Sequence, residues 1–316
     1  MSPESQLVEV DGRRLTLRRL DKVLYPETGT AKAEVLDYYA TVAPVLLGHL
    51  AHRPVTRIRW PDGVAAGKFF EKNVPSHAPD WLPTVVLPTP GSTRDRETLT
   101  FPLIDSLPAL IWAANLAALE LHVPQWTVGP RGGVRNPDRL VVDLDPGAPA
   151  GLAECAEAAR LIAAELAADG LTALPVTSGS KGLQLYARLD GSQQVHVVHS
   201  YARRLAERLA TRHPALLVAK MGKDLRGGKV LLDWSQNNPA KTTICPYSLR
   251  GRDRPYVAAP RSWDELDADG LRQLEAGEVL DRIAEHGDLA EALLTGDAGR
   301  VPGDRRPSGG GKTSPG

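Results

Sequence analysis

Apolar and polar positions along this chain switch repeatedly between period two and period 3.6, and the switches predict an α/β protein. Leu7 to Leu17 alternates about Asp11-Gly12, which predicts a hairpin. Val35, Tyr38, Tyr39, Val42, Val45 and Leu46 recur at helical spacing and predict a helix over Lys32–Leu50, with Pro44 as a kink site. Strands are expected within RPVTRIRWP and LPTVVLPTP, and the turn-rich TPGSTRDRETLTFPLIDS reads as an exposed loop or hairpin. The apolar run Leu107–Leu121 predicts another helix. A strand in RLVVDLDPG precedes an alanine-rich helix over Leu152–Ala168, closed by Asp169-Gly170. Strands Pro175–Thr177 and Leu183–Leu189 flank SGSKG, and a helix follows over Val195–Thr211. The acidic 261–300 region reads as two short helices. From Val301 apolar periodicity stops, so one domain of two closely packed lobes is expected over 1–300, with a disordered tail over 301–316.

Composition sharpens this picture in three ways. No apolar run is long enough for a bilayer span, and the polar, acidic start MSPESQLVEVDGRR does not read as a signal peptide. Cys155 and Cys245 lack zinc spacing and are too few for a disulfide framework, so they read as reduced thiols of a cytoplasmic protein. The net charge is zero, yet residues 261–300 hold eleven Asp/Glu against four Arg, which leaves the remainder with 34 basic and 27 acidic residues. A local basic face is what phosphate binding requires.

Candidate chemistry centres on RLVVDLDPG. Asp143 and Asp145 stand two apart at the end of an apolar strand, so both carboxylates leave one face, as half of a divalent-metal clamp would require. Alone, DLDPG reads as a strand end that starts a turn. Three further stretches change that reading. KVLLDWSQNNPAKTTICPYSLRGR ends a second strand at Asp233, a third carboxylate if the strands pair, and carries Lys241, Arg250 and Arg252 behind it. As a strand, the two arginines would share a face and clamp phosphate. TSGSKGL offers Ser178 and Lys181 among glycines that let backbone approach a phosphate, although an ordinary hairpin loop would look similar. GKFFEKN places Lys68 beside Phe69 and Phe70, suited to base stacking with charge neutralisation, although paired Phe commonly serve a core. Two other signals are set aside. GGGKT near the C-terminus lacks the first glycine and the flanking strand of a phosphate loop, and His196/His199 have no further ligand to complete a metal site.

Together LDKVLYPETGTAK, KFFEKN, LELHVPQW, VVDLDPG, TSGSKGL, DLRGGKVLLDWSQNNPAKTT and PYSLRGR resemble the polymerase domain of bacterial ligase D, within the archaeo-eukaryotic primase superfamily. The match runs from about residue 10 to about residue 265. It implies an α/β (α+β) primase-like core, with central antiparallel and mixed sheets flanked by helices. It also implies a DNA-directed nucleotidyltransferase that fills short gaps at 5′-phosphorylated DNA in break or excision repair. Ribonucleotides would be favoured. By the same resemblance, Asp143, Asp145 and Asp233 hold two divalent ions, Mn2+ or Mg2+. Ser178 and Lys181, with Arg250 and Arg252, hold the triphosphate, and His122 lies near the sugar, where a capped core histidine is the plainer alternative. Lys22 and Lys32 receive the 5′-phosphate, Phe69 and Phe70 stack on the template, and Arg226 meets the primer–template. The loop from Arg94 to Glu97 matches one that aligns two DNA ends.

Two departures stand out. Gln184 occupies the place of a histidine that usually follows SGSKG-Leu, and it can donate a hydrogen bond to phosphate but carries no charge. Arg19 replaces a small polar residue beside the 5′-phosphate lysine and could add a bidentate contact. Without the nuclease and ligase that usually accompany such a domain, the chain reads as a free-standing, monomeric, nucleoid-associated member, with Ku and a DNA ligase as candidate partners and no membrane role. A de novo primase and a non-catalytic DNA-end-binding module are the alternatives.

Overall fold

The computed structural model describes residues 5–88, 97–222 and 225–303. Arg94 and the tail from residue 304 fall outside these. The N-terminal hairpin pairs Ser5–Val10 with Arg13–Arg18. Its turn residues Asp11 and Gly12 both have positive φ, 46° and 73°, as a two-residue hairpin turn of matching twist demands. Helix α1 (Lys32–Leu50) keeps Pro44 inside it. Thr84–Pro88 pairs antiparallel with Thr98–Pro102, and residues 89–96 of the turn-rich stretch lie outside the described residues.

Helix α2 is shorter than the apolar run predicts. It covers Leu107–Asn115, after which Ala117 takes φ 57° and the chain continues as the strand Ala118–Val123. The run is buried almost throughout, so hydrophobicity does not distinguish helix from strand there. Pairing decides it, because Ala118–Val123 lies between Thr56–Arg59 and Thr243–Ile244. Helices α3 (Leu152–Ala168) and α4 (Val195–Arg212) follow the sequence pattern. The acidic region forms α5 (Trp263–Asp267), α6 (Ala276–His286) and a short 3-10 turn at Glu291–Leu293.

Two sheets position the site. The larger has the order Leu217–Val218, Val230–Asp233, Arg139–Pro146, Leu183–Arg188, Ala173–Thr177, Ala259–Pro260. Its first pair is parallel and the others antiparallel. The smaller is antiparallel: Thr243–Ile244, Ala118–Val123, Thr56–Arg59, Phe69–Glu71. The two faces of the larger sheet belong to different cores. Leu140, Val142, Leu144, Leu183 and Leu185 pack with the apolar sides of α3 and α4. Val141, Leu174, Val176 and Tyr186 face the other way, into a core shared with α1, α2 and the smaller sheet. Side chains of period two thus serve two cores from one sheet, and the second face carries the aspartates. Among the described residues no helix is long and apolar enough to cross a membrane. Both cysteines are free and buried.

Candidate active site

Register builds the acidic row. Asp143 pairs directly with Asp233 on one side and with Gln184 on the other, and Gln184 pairs with Val176. Residues opposite one another in antiparallel strands share a face, so Asp233, Asp143 and Gln184 form one row, and Asp145 stands two residues along the same strand. Each carboxylate is engaged by its own donor. Gln184 Nε2 donates to Asp143 Oδ1 at 3.1 Å. Arg226 Nη1 donates to Asp145 Oδ2 at 3.0 Å. Ser235 donates to Asp233 Oδ1 through N at 2.9 Å and Oγ at 2.5 Å, and Gln236 Nε2 donates to Oδ2 at 2.9 Å. Accordingly, among the described residues no three His, Cys, Asp or Glu side chains already close around an ion position. Burial, together with the neighbouring charges of Asp233 and Asp145, pushes the Asp143 carboxyl up to about 6, against the pull of Gln184. Crowded, under-compensated carboxylate oxygens are a donor set that fits a hard divalent cation, Mg2+ or Mn2+, which would relieve that repulsion.

A glycine-containing loop adjoins the row. Ser178–Gly182 joins Ala173–Thr177 to Leu183–Arg188, and buried Ser178 Oγ accepts the Ser180 and Gly182 N–H groups at 3.3 and 3.2 Å. A Cβ on Gly182 would lie 1.9 Å from Leu144 O, so only glycine lets this loop lie against the aspartate strand. Lys181 is exposed. Arg252 Nη2 donates to Ser180 Oγ at 2.5 Å, and the Gly179 backbone packs on Arg250, where a Cβ would meet Arg250 Cγ at 2.5 Å. Arg250 and Arg252 are not on a strand, contrary to the sequence reading. The chain bends over Arg252–Arg254, and Gly251 just before it sits on the Trp60 ring, where a Cβ would approach within 2.2 Å. Both arginines nevertheless border the Ser178–Gly182 loop. Lys241 Nζ donates to Ser235 Oγ and lies 4.0 Å from Asp233 Oδ2.

The smaller sheet supplies His122. Its Nε2 lies 2.8 Å from Glu120 Oε2, and the ring is mostly buried. Glu120 was not legible in sequence because residues 107–121 read as a helix. On a strand, Glu120 and His122 share a face by alternation. Lys68 Nζ lies 5.9 Å from the Trp60 ring, and Phe69 and Phe70 are 56% and 58% exposed, so neither serves the core.

A second basic cluster lies at the start of α1. Lys32 is buried and donates to Arg18 O at 2.6 Å and Asn115 Oδ1 at 2.8 Å. Burial and the charges of Arg19, Lys22, Arg59 and Arg18 bring its ammonium down to about 8. Lys22 Nζ pairs with exposed Asp62 at 2.5 Å, and Arg19 has φ 53°.

Residues 31–290 match the family model described as the LigD primase-polymerase domain. The chain belongs to that family. It is 52% identical over 286 residues to the multifunctional non-homologous end joining DNA repair protein LigD of Mycobacterium tuberculosis, covering 89% of this chain and 37% of that protein. It is 32% identical over 276 residues to the bifunctional LigD of Bacillus subtilis, covering 87% of this chain and 43% of the relative. The chain therefore spans well under half the length of these LigD proteins. The solved polymerase domain from Mycobacterium tuberculosis ligase D, in complex with DNA, superposes with a TM-score of 0.85 at 50% identity, covering 92% of this chain and 99% of that one. The mixed α/β core is thus that of the LigD polymerase domain.

Proposed function

We propose that this chain is a DNA-directed nucleotidyltransferase that fills short gaps at 5′-phosphorylated DNA, favours ribonucleotides and acts in end-joining repair. The observation that carries the reading is the row Asp233–Asp143 with Asp145 beside it, bordered by a glycine-lined loop and two arginines. Asp143, Asp145 and Asp233 would hold divalent ions, which lower the pKa of an attacking hydroxyl and offset charge on the phosphate under attack. The primer's 3′-hydroxyl oxygen bonds to the α-phosphorus, the α–β bridging bond breaks, and pyrophosphate leaves. Ser178, Lys181, Arg250 and Arg252 bind the triphosphate and neutralise the departing pyrophosphate. Lys241 adds a cation beside Asp233. His122 contacts the sugar.

DNA recognition rests on the remaining residues. Exposed Phe69 and Phe70, with Lys68 and Lys72 near aromatic rings, suit stacking on an unpaired template base. Arg19, Lys22 and Lys32 would receive the 5′-phosphate, which favours gap filling over de novo priming. Arg226 must leave Asp145 before a cation takes that oxygen, so it couples the acidic row to whatever binds its loop. Ku and a ligase are the partners we propose, in keeping with the end-joining names of the LigD relatives.

The test is extension of a gapped, 5′-phosphorylated duplex against a plain primer–template, with ribo- and deoxynucleotides and Mn2+ or Mg2+. We expect extension on both and preference for the phosphorylated gap. Asp145→Ala should abolish addition and leave DNA binding largely intact. Wild-type extension by that variant would sink the mechanism.

A further inference from the structure

One buried carboxylate touches His122, Arg250 and the Gly251 backbone at once. Glu120 is 6% exposed and lies on the face of its strand that also carries His122. Its Oε2 is 2.8 Å from His122 Nε2 and 3.6 Å from Arg250 Nη1. Its Oε1 accepts the Gly251 N–H at 3.1 Å. All three partners are donors, and only an ionised carboxylate can serve all three at once. Burial alone would raise the Glu120 carboxyl, but hydrogen bonds from His122 and Gly251 and the charge of Arg250 outweigh it and hold the group at about 2.

We propose that Glu120 is the positioning residue of the nucleotide pocket, fixing both the proton on His122 and the course of the Arg250-Gly251-Arg252 segment. Because Nε2 must carry a proton to donate to Glu120, Nδ1 of the neutral ring is left bare, and among the described residues it makes no hydrogen bond. Burial lowers the His122 pKa and so favours that neutral ring. The pocket therefore presents a hydrogen-bond acceptor, not a second cation, at this point. The arginine segment is pinned at three places. Tyr25 OH donates to Arg250 O at 2.8 Å, Gly251 N–H donates to Glu120, and the Gly251 backbone rests on Trp60. Removing Glu120 takes away the hydrogen bond at the middle of that segment and leaves it held by Tyr25 and by packing on Trp60.

This inference rests on the nucleotidyltransferase reading but is tested without turnover as well. In Glu120→Gln the side chain keeps its size but offers one acceptor and one donor group, so it cannot accept from both Gly251 and His122. We expect the apparent KM for ATP in Mn2+-dependent extension to rise about tenfold or more, with kcat changing less, as is typical when a supporting partner of a site residue is lost. ATP affinity measured by calorimetry with Mn2+ should fall in parallel, and DNA affinity should not change. Nitrogen-15 NMR of labelled histidine should show the Nε2–H form of His122 in the wild type and a shift toward the Nδ1–H form in Glu120→Gln. A folded Glu120→Gln protein with unchanged ATP affinity and an unchanged His122 ring would overturn the proposal. So would a loss shared equally by DNA and ATP binding. A wild type that bound ATP without extending DNA would sink the gap-filling reading and leave this one standing.

Discussion

At the scale of single residues, Asp143 carries a cost to stability that a bound cation would relieve. Asp143 has its pKa raised from 3.8 to about 6, chiefly by burial. The unfolded chain therefore loses this proton first, and between those two values the folded state holds more protons than the unfolded one. Stability contributed by this group falls as pH rises across that window, and above it the metal-free fold bears the whole cost. Asp143→Asn removes the charge. It should raise the melting temperature of metal-free protein at pH 7.5, by an amount equivalent to about 1–2 kcal/mol after allowance for partial exposure. It should change little at pH 4, abolish extension, and lose the rise in melting temperature that Mn2+ gives the wild type. No gain at pH 7.5 would mean the carboxylate is already compensated. Gln184 belongs to the same ledger. The buried Tyr186 hydroxyl donates to its Oε1 at 3.0 Å, which turns Nε2 toward Asp143. The residue that stands where a phosphate-binding histidine was expected therefore spends a donor on Asp143. Gln184→Leu should lower extension about tenfold, mainly by weakening the Mn2+ dependence. A raised nucleotide KM at saturating Mn2+, with unaltered metal dependence, would return Gln184 to the triphosphate.

At the scale of elements, glycine decides whether the phosphate loop can meet the aspartate strand. Gly182→Ala would drive a Cβ into Leu144 O, a backbone atom that cannot turn aside. The variant should lose about 2–4 kcal/mol of stability in denaturant melts and lose extension with it, whereas Gly133→Ala, in open space, should do neither. A Gly182→Ala protein of normal stability would show that the loop moves freely against the strand. How much of this was legible in sequence follows from the same local physics. The RLVVDLDP and KVLLD strands, α1, α3 and α4 have patterns of a single period and clear ends, so the elements, and with them the placing of Asp143, Asp145 and Asp233 on strands, could be read directly. The strand Ala118–Val123 could not, because Asn115 is the lone polar residue between it and the apolar helix before it. That misreading hid Glu120, whose link to His122 exists only under strand alternation. The packing of Gly251 on Trp60 was likewise out of reach, since the two lie nearly two hundred residues apart in sequence. The resemblance to the ligase D domain supplied roles for residues whose spacing alone left alternatives open. It did not supply the contacts of Gln184 or Arg226.

At the scale of the whole molecule, charge that cancels in the sum is sorted in space, and the cluster around Lys32 is where this should be measurable. Arg18, Arg19, Lys22 and Arg59 surround a lysine already desolvated, and together they lower its pKa from 10.5 to about 8. Between those values the unfolded chain holds more protons than the folded one, so stability gains as pH rises through that range. A terminal phosphate, whose second pKa is near 6, is fully charged throughout it. Phosphate binding favours the charged amine, so it should draw a proton onto Lys32 and weaken as pH passes about 8. The preference for a 5′-phosphorylated gap over an unphosphorylated one should therefore shrink several-fold between pH 7 and pH 9, by the ordinary linkage of binding to protonation. Lys22, partly buried and ion-paired with exposed Asp62, has no hydrophobic core around it to open. Lys22→Ala should lower the preference, by about 1.5–3 kcal/mol if its contact is partly desolvated, and keep its pH slope. Lys32→Met should flatten the slope. It should also cost stability, because Arg18 O and Asn115 Oδ1 lose a donor. Measuring extension on phosphorylated and unphosphorylated gaps at pH 7, 8 and 9 for the three proteins separates these roles. A wild-type preference that did not change with pH would place Lys32 away from the phosphate, as a buried brace between the hairpin and α2.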